Sequence, residues 1–288
     1  MYSTTTLVKN PKLNGKLVGT HQVLDRAARK ILSKHLPRSK YFPTIKEIVY
    51  FEGMRGPDGL KRKSPDDDDP SHMFVGEDGD ELFQQILNHY NNLIAALKHR
   101  DATRSAFEAA WLAHMITDGL TPAHHFPLSE AKDELMSNKE FIKIFGEPVK
   151  GIMHGRNALE TARNNWLYWG AGGYMSKHVA YEYGVAIIAA ALPLKSLLPP
   201  IGKGEFRYVD IKKTFYDAIH RAEVPETYRK FREEGWTTEL AFSTKNLLLP
   251  EIVRTIALIW YSAAEVAYNL NNINHKQCQK SHKNDQKS

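Results

Sequence analysis

The chain has 288 residues, one cysteine and a formal net charge of +6. That length can bury a sizeable core. A lone cysteine excludes an internal disulfide and thiolate zinc fingers, so any metal site must use His, Asp and Glu. No run of about 18 apolar residues marks a membrane span, and the first twenty residues lack the apolar stretch of a signal peptide. Either the protein stays inside the cell, the favoured reading, or a leader is missing from this sequence; its modest basic excess suits phosphate-bearing partners.

Residues 1–19 read as an extended N-terminal arm. From Thr20, "HQVLDRAARKIL" spaces Val23, Leu24, Ala27, Ala28, Ile31 and Leu32 by three and four, a helix that Pro37 ends. "TIKEIVYFEGM" predicts a short helix stopped by "RGPDG". A loop covers 55–77, with a "KRK" run at 61–63 and four aspartates at 66–69 that read as solvated charge. "DELFQQILNHYNNLIAALKHR" is a long amphipathic helix, and "DATRSAFEAAWLAHMITDGL" the next, with Asp101 as its N-cap.

Past Pro122 the pattern is poorly periodic to about 150, with short helices expected. "NALETARNNWLYWG" is helical to Gly170, and "SKHVAYEYGVAIIAAAL" follows with Ser176 as candidate cap. Prolines 193, 199 and 200 interrupt the chain, and 205–235 hold one or two helices. "TKNLLLPEIVRTIALIWYSAAEVAYNL" is the closing helix, with Pro250 in its first turn. The tail, 272–288, is polar, basic and expected to be disordered. Strand patterns are scarce, so the fold reads as all-α, a single multi-helix domain over 20–271. Trp111, Trp166, Trp169 and Trp260 read as core or groove wall.

"HMITDGLTPAHH", 114–125, places His114 and Asp118 one turn apart on one helix face, then turns through Gly119 and Pro122 into His124 and His125. His178 and Glu182 repeat the i,i+4 spacing on another helix. Two such pairs, with His124 just past a turn, offer the imidazole and carboxylate donors zinc takes. The order HxxxDxxxPxH, a gap, then HxxxE resembles the zinc-dependent phospholipase C and single-strand-specific nuclease superfamily, over roughly residues 20 to 185.

The resemblance implies an all-α phosphoric ester hydrolase binding two or three zinc ions. A hydroxide held by the metal would attack a phosphodiester. By the same resemblance, His21 in "GTHQVLDRA" is the early histidine ligand and His72 in "SHMF" the next. Asp58 in "GPDG" is the first-site carboxylate, with Glu52 and the aspartates 66–69 as alternatives. One site then comprises Asp58, His72, His114 and Asp118. A second comprises His124, His178 and Glu182, and a third uses His21 with a bridging Asp118. Asp58 and Asp118 carry the catalytic roles, and His125 lies off the motif.

The family completes its third site with an N-terminal tryptophan, and none precedes Trp111 here. The gap from His124 to His178 implies an insertion at about 126–175, which contains His154 as a rival ligand and Arg156 as a phosphate-binding candidate. The substrate implied is a phospholipid, with peripheral membrane contact, or alternatively single-stranded nucleic acid; no stable protein partner is expected. Family members are mostly secreted, at odds with the cytoplasmic expectation. A non-catalytic zinc-stabilised interaction domain is the reading from a different class. A di-iron bundle fits less well, since such bundles use ExxH pairs.

Overall fold

The computed structural model describes residues 19–36, 42–52, 56–57, 80–136, 152–206 and 209–285, with side chains as far as Tyr268. The described residues are helical, with no strand. Helices α1 (Thr20–His35), α2 (Ile45–Tyr50), α3 (Asp80–His99) and α4 (Ala102–Gly119) lead to a 3₁₀ turn at Pro122–His125 and α5 (Leu128–Leu135). Then come α6 (Ala158–Trp169), α7 (Tyr174–Ala191), α8 (Ile211–Arg221), α9 (Val224–Glu234), α10 (Thr238–Ser243) and α11 (Leu249–Asp285). The arm, Asp58, His72, the loop runs at 61–63 and 66–69, and residues 137–151 of the expected insertion lie outside the described residues.

Local chemistry sets most boundaries. Thr44, Asp101, Asn157, Asp210 and Thr237 each accept a backbone N–H three residues on, which satisfies an otherwise orphaned donor at the helix start. Ser176 does not cap α7. The helix starts two residues earlier, after Gly173, and the Ser176 hydroxyl donates to Trp169 O.

The closing helix also differs from expectation. It begins at Thr238, and residues 244–248 form a π turn in which Leu249 N–H donates to Thr244 O, five residues back. Pro250 has no N–H to give and its ring would press on the carbonyl four residues earlier; a widened turn just before it relieves both. At its far end the helix runs on to Asp285, through backbone for which composition predicts disorder. Extending a nucleated helix fixes one residue per added bond, so polar Asn, Gln and Lys can continue it.

The segment Thr238–Tyr268 is long and apolar enough to cross a membrane by length and composition, but 78% of its apolar window is buried. It is the core helix, packed against α1, α3, α4 and α8. Trp260, fully buried, donates from Nε1 to Ala109 O on α4, and Tyr90 on α3 bonds Ser262. Trp166 and Trp169 on α6 are 69% and 46% exposed, which excludes the core half of the core-or-groove-wall expectation for them.

Candidate metal centre

Helix α4 carries the centre of the site. It ends at Gly119, where a Cβ would lie 2.6 Å from Phe215 and 2.9 Å from Leu82. Glycine here lets the Phe215 ring of α8 and Leu82 of α3 close over this end without shifting. Thr121 Oγ1 donates back to Thr117 O, and Pro122 opens the 3₁₀ turn. That turn folds His124 back toward Asp118, with His124 Nδ1 3.9 Å from Asp118 Oδ1. His125, next in line, instead bonds Gly119 O through Nε2 at 2.7 Å. The glycine and proline in "DGLTPAHH" thus separate two adjacent histidines into different roles.

Two groups result. In the first, His21 from α1, Glu52 just past α2, and His114 from α4 offer ligand atoms within 4.8 Å of one another. His114 Nδ1 meets Glu52 Oε1 at 2.9 Å, and the His21 and His114 rings stack at 4.3 Å. In the second, His124, His178 and Glu182 converge. Glu182 Oε1 faces His124 Nε2 at 2.9 Å and His178 Nε2 at 3.4 Å, and the two rings are parallel within 2°. Asp118 lies against both groups. Its Oδ2 is 3.1 Å from His114 Nε2, and its Oδ1 is 3.3 Å from His21 Nε2.

None of these residues is more than 8% exposed. Burial by itself would raise the pKa of Asp118, and the charges of His114 and His124 are among the causes that lower it. Burial would likewise raise Glu182, and hydrogen bonds from His124 and His178 are among the causes that lower it. Burial would lower His114, yet Asp118 and Glu52 on either side of its ring raise it well above an ordinary imidazole. Asp118 and Glu182 thus each face buried imidazoles, an arrangement that suits a bound cation.

Both groups could hold a metal ion. Two imidazoles and a carboxylate form a donor set used by zinc. A further observation fits: His178 Nδ1 is buried with no hydrogen-bond partner among the described residues. Such an orphan is expected where an ion or water completes the shell.

The structure thus brings His21, His114, Asp118, His124, His178 and Glu182 together; Asp58 and His72 are outside the described residues. Glu52, one of the alternatives for the first-site carboxylate, sits in the first group. His154 belongs to neither group, and Arg156 is exposed and paired with Glu160 at 3.0 Å. Sequence reasoning missed Asp25. It is buried on α1 one turn after His21, and burial together with the Glu52 charge pushes its carboxyl well above the usual range. The signal was present: His21 and Asp25 repeat the i,i+4 spacing of His114/Asp118 and His178/Glu182. Compared with family models, curated proteins and solved structures, the chain matches none.

Proposed function

We propose that the chain is a zinc-dependent phosphoric ester hydrolase of the phospholipase C type. The observation that carries this reading is the position of Asp118, one carboxylate set between two buried His/Glu groups. His21, Glu52 and His114 would hold one ion, His124, His178 and Glu182 another, and Asp118 would be shared. When bound, such ions neutralise charge on phosphoryl oxygens and lower the pKa of water to about 7.

The chain's own residues prepare that chemistry. Asp118 and Glu182 face imidazoles that favour their ionised form, in which they would serve as ligands. Glu52 accepts from His114 Nδ1, which fixes the ring's orientation. Burial and the Glu52 charge raise the Asp25 carboxyl, which favours its neutral form and avoids a second buried negative charge beside Glu52. The apolar helices around the cluster exclude bulk water, so each charge acts at full strength.

A phospholipid substrate is favoured over nucleic acid by α6, where Leu159, Trp166 and Trp169 are exposed apolar side chains. Tryptophan is suited to the boundary of a lipid layer. The test is elemental analysis of protein purified without chelator, beside hydrolysis of bis(p-nitrophenyl) phosphate, phosphatidylcholine vesicles and single-stranded DNA. The expected result is two or three zinc ions per chain, with diester hydrolysis lost to chelator and restored by zinc. Protein that neither holds nor takes up zinc would overturn the reading.

A further inference from the structure

Beside the second group lies a cleft of about 410 Å³, walled by His125, Phe126, Tyr228, Arg229, Arg232 and Glu233. That volume falls in the small-ligand range. The cleft's lining adjoins the residues of that group. His125 follows His124; Phe126 packs 5.6 Å from Tyr174, one turn before His178; and Tyr228 meets Tyr181, the residue before Glu182, edge-on at 5.3 Å.

The charges in the cleft are not equivalent. Arg229 is held between Glu226 and Glu233 by ion pairs. Arg232 has no carboxylate partner among the described residues. Its guanidinium instead lies 3.9 Å from the centroid of the Phe126 ring and 5.7 Å from that of Tyr174. Its backbone carbonyl accepts from Lys177 Nζ at 2.7 Å, which pins the end of α9 to α7. A guanidinium stacked on aromatic faces is fixed in plane, and its N–H edge remains available for a two-pronged bond to an oxyanion.

We propose that this cleft is a phosphate subsite with Arg232 as its binding cation, placed to hold a phosphate group of a ligand bound at the His124–His178–Glu182 group. It deepens the hydrolase reading and rests on it for the identity of the neighbouring centre. The shared chemistry is a phosphate monoester. A phosphocholine headgroup and a nucleoside monophosphate are the two sources that the aromatic walls would admit.

The test is calorimetric titration of the zinc-treated full chain with inorganic phosphate, in the parent and in Arg232→Gln, Arg232→Lys and Arg229→Gln. Zinc content and melting temperature are measured on the same samples. Arg232→Gln should weaken phosphate binding about tenfold or more, the loss of a charge-assisted hydrogen bond. Arg232→Lys keeps the charge without the planar fork and should fall between; Arg229→Gln should bind like the parent. Unchanged binding in a folded, zinc-loaded Arg232→Gln protein would overturn the subsite and leave the hydrolase reading standing. Arg232-dependent phosphate binding by a parent that neither holds nor takes up zinc would keep the subsite and sink the hydrolase reading. Repeating the titration with phosphocholine and thymidine 5′-phosphate identifies the source. Whichever gains affinity over inorganic phosphate, and loses it in Arg232→Gln, is the ligand class; neither binding in an Arg232-dependent way would overturn the subsite.

Discussion

Asp118 and the two adjacent histidines permit the sharpest predictions at the scale of single residues. Asp118→Asn removes a carboxylate that lies within 4 Å of His21, His114 and His124. Zinc should be lost from both groups together, with affinity down at least about 10- to 100-fold, the range for losing even an outer partner of a ligand. Full retention of zinc would end its shared role. His124→Ala should also lose zinc, whereas His125→Ala should keep it, because His125 faces Gly119 O rather than the cluster. His125 has a different consequence. Burial lowers its pKa to about 4, against about 6.5 when unfolded. Between those values the unfolded chain takes up the proton first. This contribution to stability is therefore full above pH 6.5 and is lost as the pH falls towards 4, by roughly 3 kcal/mol. Urea unfolding at pH 7.5 and 5 should show a smaller acid loss in His125→Ala than in the parent; equal losses would mean the ring is not held neutral.

At the scale of elements, α7 and the turn after α9 meet through a glycine. A Cβ at Gly184 would lie 2.1 Å from the Trp236 ring, whose Nε1 donates to Ala180 O. Gly184→Ala should therefore destabilise by about 1–3 kcal/mol, as overpacking does, and redden the Trp236 emission. Gly172→Ala, with open space around it, should change neither melting temperature nor emission. Such elements show how far the sequence could be read. Helix periods and caps are local, so Asp101 and its helix were evident from residues a few places apart. The Ser176 cap was misplaced because Gly173 starts α7 without any side-chain signal. The i,i+4 pairs were legible for the same local reason, although the His21/Asp25 pair went unnoticed beside stronger neighbours. Glu52 could be named only as one acid among several, because its approach to His114 spans 62 residues and needs the packing of α2 on α4. The exposure of Trp166 was illegible in principle, since helical spacing says which residues share a face but not whether another element covers it.

Across the whole molecule, the centre is also a clasp. Its ligands come from α1, the end of α2, α4, the turn after it, and α7, so the site ties distant chain segments around the core helix. In the unfolded chain these donors are scattered over residues 21 to 182 and cannot act as one site. Zinc should therefore bind the folded state selectively and stabilise it. Free zinc at 100 times its dissociation constant adds about 2.7 kcal/mol for one site. For a chain of this size that raises the melting temperature by roughly 5–10 °C. Chelator should reverse the shift, and Asp118→Asn should melt at nearly the same temperature with or without zinc. Coincident melting of the parent in zinc and in chelator would mean that the buried carboxylates and imidazoles satisfy one another without an ion. The cluster would then be a polar core holding three helices in register, and neither group would have a metal to offer a phosphate ester.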